Sequence, residues 1–263
     1  MGFTALLVLD SFFALRKGTG ASRLIVSICR CITFVCDVFW QTGVPPPKRR
    51  DWKIVVPPFP ILLSKEQVNC GIREPAELFA HYINTLLGGG IPASDLPSAF
   101  LELYALDFYS GQVRNGGHSQ FVGNSGGRLD ANLDHAIRAA LMLGLPRLVQ
   151  LLGECRNWCV AHPIERDRQD GTSNRAVALN ELDDRFFDME YDDAGYGAFV
   201  ASQSEPVQAW IRAATEATDF YARSEYHLAV GAWLLDQPDT LLLTDDELET
   251  AVERMLKLFA RMT

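Results

Sequence analysis

The chain has 263 residues, nearly half of them apolar and under a quarter charged, which suits one large globular domain or two small ones. Its net charge of −9 is unevenly spread, with a balance of +5 over residues 1–60 and −14 over residues 61–263, so the main body repels nucleic acid and favours basic partners. The six cysteines form neither a disulfide ladder nor a metal set, because Cys29, Cys31 and Cys36 crowd one apolar run and Cys155 and Cys159 share one helix face. No cofactor or metal is expected, and a reducing, cytoplasmic compartment is the simplest setting.

The first forty residues carry two apolar runs, FTALLVLDSFFAL and LIVSICRCITFVCDVFW. The first resembles a signal-peptide core, but it lacks a preceding basic residue and a small-residue cleavage site, so it is not expected to act as a secretion signal. The second contains Arg30 and Asp37 and is a poor membrane span. Residues 1–50 are therefore expected to be an extension outside the core, ahead of a pair of buried helices and of a membrane anchor. The stretch QTGVPPPKRR reads as an exposed polyproline linker.

The body is expected to be all-α. DWKIVVPPFPILL predicts a short edge strand or extended arm near residues 52–57, closed by Pro57 and Pro58. Pro75 near its start and Gly88, Gly89 and Gly90 at its end delimit a first helix. A second is predicted from Asp95 to Val113, with Phe100, Leu103, Tyr104 and Phe108 at helical spacing and Asn115, Gly116 and Gly117 as its stop. The third covers LDANLDHAIRAALML with a Leu133, Ile137 and Leu141 stripe, capped by Ser125 or Asp130. The fourth starts at Pro146 and turns Leu148, Leu151, Leu152, Cys155 and Cys159 inward. Ala161–Arg175 reads as a polar loop. Helices resume at Asn180, after Ser204 and at Thr244, where Glu247 completes a capping-box spacing. Residues 51–200 form the main domain in this reading, with the helices of 201–263 packed on the same core.

The stretch VRNGGHSQFVGNSGG, residues 113–127, is expected to be a corner that turns sharply twice between two helices. Phe121 would plug it against the core, and the amides of Asn115, Gln120 and Asn124 would satisfy backbone groups left open by the turns. A catalytic reading would make His118 a base and Ser119 or Ser125 a nucleophile, yet no acidic orienter is evident nearby. A phosphate cradle would need an entering strand and a lysine, and the run has neither.

Asn115, Gly116, Gly117, His118, Gln120, Phe121, Asn124 and Ser125, followed by an alanine-rich helix ending LMLGLPR, resemble the motif of a bacterial domain family of unknown function. That family includes the C-terminal part of a DNA-mimic protein. The later LDDRFFDMEYD and the upstream DWKIVVP resemble the same family, so the likeness spans roughly Asp51 to Val200. Gln112 departs from a glutamate common there, and Val122 and Gly123 stand where aromatics are common.

The resemblance implies a mimic, and the local place to look is ELDDRFFDMEYDD, Glu181–Asp193. On one helix, Leu182, Phe186 and Met189 would share one face and Glu181, Asp184, Asp188 and Asp192 the opposite one, each about 5–6 Å from the next. Such a row offers a basic DNA-binding surface a target like a phosphate strand. Two function classes follow. One is an acidic interaction protein, a DNA-mimic regulator of a transcription factor or an immunity or antitoxin-like inhibitor of a toxin. The other is a small-molecule enzyme or ligand-binding protein using His118, Gln120 and Asn124.

Overall fold

The computed structural model describes residues 59–217 and 222–261. The expectations for residues 1–50 and for a strand at 52–57 lie outside the described residues. The architecture is mainly all-α.

The described chain opens with a strand, β1, Ile61–Ser64, buried at all four positions. It pairs in parallel with β2, Thr240–Leu243, in the register Ile61 to Thr240 and Ser64 to Leu243. Residues 240–243 carry no alternation and lie almost 180 positions away, so nothing local announces this pair. Between the strands run α1 (Lys65–Val68), α2 (Glu74–Gly88), α3 (Ser98–Ser125), α4 (Leu129–Met142), α5 (Pro146–Ala161), α6 (Pro163–Arg166), α7 (Val177–Phe187), α8 (Asp193–Ser202), α9 (Glu205–Ala217) and α10 (Glu225–Asp236), and α11 (Asp245–Ala260) follows β2. Proline in the first turn starts α2, α5 and α6, where its missing N–H costs nothing. Thr244 and Glu247 close a reciprocal capping box on α11, as their spacing predicts.

One apolar core runs through α2–α5, α7, α9 and α10, with Phe79, Leu106, Tyr109, Phe121, Leu133 and Leu151 fully buried. The inward set on α5 is the one its periodicity predicts. On α4 the stripe is different. Leu141 is 61% exposed, and the buried face is Leu129, Leu133, Ala136, Ala139 and Ala140, because α4 lies close enough to its neighbours for alanine to fill the contact. Neither Ser125 nor Asp130 caps α4; Arg128 holds the cap position, and its side chain does not cap the helix.

Three boundaries differ from the sequence reading. The helix predicted to stop at Val113 continues through the glycine motif to Ser125 with a kink at Gly116 and Gly117. The stretch 161–175 contains the short α6, and the next helix starts at Val177, three residues early. The acidic run 181–193 is not one helix. Its helix ends at Phe187, Asp188 is the C-cap, and Asp192 starts α8 by accepting the Gly195 N–H at 2.6 Å. No helix among the described residues is long and apolar enough to cross a membrane.

Candidate functional site

The kink in α3 is where chemically distinctive side chains converge. Gly117 has φ of 73° and ψ of −177°, a combination open essentially to glycine alone. A Cβ there would also overlap the Asp183 carboxylate and the Arg175 guanidinium. The backbone then re-enters a helix at His118, creating a new N-terminus in mid-element whose amide needs an acceptor. Asp183 Oδ1, from α7, accepts the His118 N–H at 2.6 Å. An acid 65 positions along the chain thus serves as the cap that sequence-local residues do not supply.

The same oxygen lies 2.6 Å from Nδ1 of the His118 ring, while Nε2 lies 2.7 Å from the Tyr109 hydroxyl. Arg175 donates to Asp183 Oδ2 at 2.9 Å. Burial holds the His118 pKa below its ordinary value, against the pull of Asp183. Burial pushes the Asp183 carboxyl up, but hydrogen bonds from the His118 ring and backbone, with Arg175 beside it, outweigh this and leave it below the usual range. Burial also raises the Tyr109 hydroxyl well above its usual pKa. All three directions fit one proton arrangement: a neutral imidazole whose Nδ1–H donates to an ionised Asp183 and whose Nε2 accepts from Tyr109.

The acidic orienter that sequence reading did not find is therefore Asp183, one position from a predicted acidic-face residue. Its signal was the burial phase of α7, in which Leu179, Leu182, Asp183 and Phe186 turn inward together. His118 is fully buried, and both its ring nitrogens are engaged inside the core. Its ring packs edge-on against Tyr109 and Phe186.

The remaining motif residues fasten the second half of α3. Ser119 donates to the Asn174 carbonyl at 2.8 Å and accepts the Gly171 N–H at 3.1 Å, clamping the 170–174 loop. Asp170 shapes that loop by accepting the Thr172 and Asn174 amides, bonds that hold its carboxyl far below the usual range. Gln120 and Asn124 both donate to Gln112 Oε1, at 3.0 and 2.6 Å, so Gln112 ties the two sides of the kink together. Phe121 is fully buried and packs edge-on to Tyr109. Ser125 accepts from Asn132 of α4 at 3.2 Å. Gly123 allows the Gln169 carbonyl to approach, since a Cβ there would overlap it. Asn115 remains exposed at the kink.

Residues 94–214 match the family model described as DMP19-like protein. The match covers somewhat less than half of the chain. No curated protein and no solved structure matches the chain. The matched stretch begins just before α3 and ends within α9, so it starts later and finishes later than the likeness read from the sequence. It holds every residue of the kink network, including Tyr109, Arg175 and Asp183, but neither β-strand.

Outside the kink, the acidic stretch of the matched region is exposed. Glu181, Asp184, Asp188, Glu190, Asp192 and Asp193 all face solvent. Asp193 pairs with Arg223 at 2.5 Å, and Arg185 pairs with Glu154 of α5. No ion pair among the described residues engages Glu181, Asp184, Asp188 or Glu190. The four predicted face residues thus do not form one helical row: Glu181 and Asp184 stand on α7, Asp188 at its end, and Asp192 at the start of α8. Among the described residues no group of three or more His, Cys, Asp or Glu side chains is placed to hold a metal ion.

Proposed function

We propose that this chain is a non-enzymatic acidic interaction protein that occupies a basic, DNA-binding surface of another protein, in the manner of a DNA mimic. One observation carries the reading. Apart from the buried Asp183, the acids of Glu181–Asp193 lie at the surface with few cations beside them, whereas the motif's chemically capable side chains, His118 and Ser119, are spent inside the fold. Carboxylates spread over the end of α7, the following turn and the start of α8 present a broad patch, which suits a basic surface more than a single groove-reading helix. Such a patch would speed association and make it strongly salt-dependent.

The test replaces Asp184, Asp188 and Asp192 together by asparagine, a change that leaves an N-capping side chain at position 192. Wild-type chain and triple variant, each immobilised, are exposed to lysate of the source cells and washed with rising salt. A basic DNA-binding protein kept by the wild type, released at moderate salt and missing from the variant supports the reading. A basic toxin behaving the same way moves it to inhibition of that toxin. Equal retention by the variant overturns the mechanism.

A further inference from the structure

The kink leaves an open depression on the surface, lined by Asn115, Gly116 and Gly117 on one side and by Asn180, Asp184 and Phe187 of α7 on the other. The three α7 residues recur at helical spacing and share one face. Two arginines also reach this depression, and both are already committed. Arg175 donates through Nε to Asn180, through Nη1 to the Gly171 carbonyl and through Nη2 to Asp183. Arg114 donates to Ser110 at 3.2 Å, with its guanidinium 5.3 Å from the centre of the Phe186 ring. The groups left open at the mouth are different in kind. Asp184 is exposed and forms no ion pair among the described residues, and Phe187 is 52% exposed although it is a large aromatic. Asn115 adds an exposed amide.

The geometry points to this depression as the seat of one arginine or lysine side chain from a basic partner. Its aliphatic stem would lie along the Phe187 ring and its cation would meet the Asp184 carboxylate. A carboxylate beside an open aromatic face favours a cation twice over, by charge and by the ring quadrupole. An anion would find the guanidinium donors turned toward Asp183 and Ser110 instead. The inference rests on the acidic-interaction reading and deepens it: it names an anchor where the broader patch supplies only steering.

The full chain is titrated against a fluorescently labelled nona-arginine peptide at low salt, with anisotropy as the readout. Phe187→Ala and Asp184→Asn should each weaken binding about three- to fivefold. Phe187→Leu, which keeps the bulk and loses the ring, should fall between wild type and Phe187→Ala. The Phe187→Ala and Asp184→Asn effects should combine to less than their product, since both groups would hold the same side chain. If Phe187→Ala binds like wild type while the Asp184, Asp188 and Asp192 triple variant binds weakly, the anchor is refuted and the acidic patch stands. If the wild type does not bind the peptide, the acidic-interaction reading fails and the anchor fails with it.

Discussion

Asp183 Oδ1 accepts from both the backbone N–H and the ring Nδ1 of His118, each at 2.6 Å. One carboxylate oxygen thereby caps the second half of α3 and fixes the imidazole that fills the space behind it. The motif around the kink is thus a fastening, and its residues hold α3 against α7 and the 170–174 loop.

Removing the carboxylate should be costly. Asp183→Ala leaves the His118 amide and ring Nδ1, and Nη2 of Arg175, without their acceptor in a site where the acid side chain is 10% exposed. A loss of about 3 kcal/mol is expected. Urea unfolding of variant and wild type measures it. A loss below roughly 1 kcal/mol would place the pair among ordinary surface contacts.

Gly117→Ala should be among the most damaging single-methyl additions in the chain. It combines a backbone conformation that L-residues avoid with overlap on Asp183 and Arg175. Gly144 offers the comparison, because it also has positive φ, 69°, but a Cβ there meets nothing within 4 Å. Gly144→Ala should cost about 1–2 kcal/mol and Gly117→Ala about 3 kcal/mol or more. Similar melting temperatures for the two variants would refute the overlap argument.

Asp107 governs a separate pH response. It accepts from the Tyr226 hydroxyl at 3.1 Å across α3 and α10. Burial pushes its carboxyl up to about 7, against the opposing hydrogen bond from Tyr226. The folded chain therefore keeps a proton that the unfolded chain releases near 3.8, so this group's contribution is fully present below 3.8 and is lost as pH rises to about 7. Urea midpoints of Asp107→Asn, compared with wild type, should improve steadily between pH 4 and 7 and change no further above. A difference that is flat with pH would contradict the assignment.

The packing of α9 on α10 depends on a glycine. Trp210 donates its indole N–H to the Val68 carbonyl at 3.0 Å, and its ring lies over Gly231, where a Cβ would overlap it. Gly231→Ala should cost about 1–3 kcal/mol through overpacking, despite the better helix propensity of alanine. A stabilised variant would show that the indole moves aside freely.

Much of the fold was legible in the sequence because helices announce themselves locally. Pro75 and Pro146 mark starts, Thr244 with Glu247 marks another, and the inward face of α5 follows from periodicity alone. Where local signals misled, a distant partner had supplied what the local residues lacked. Asn115, Gly116 and Gly117 carry a helix-stop signature, yet α3 resumes because Asp183 caps the new start across 65 positions. Residues 181–193 read as one amphipathic helix, yet Asp188 and Asp192 terminate and restart it.

By itself the sequence determined the all-α class, the acidic body, the starts of several helices and the presence of a distinctive glycine motif, all properties set by composition and by neighbours within a turn or two. Only the tertiary structure decided that the motif is a kink instead of a corner, that His118 has an acidic partner, that Thr240–Leu243 pairs with Ile61–Ser64, and that Phe187 and Asp184 share one open depression. Each of these rests on contacts between residues far apart in the chain, whose geometry no local pattern encodes.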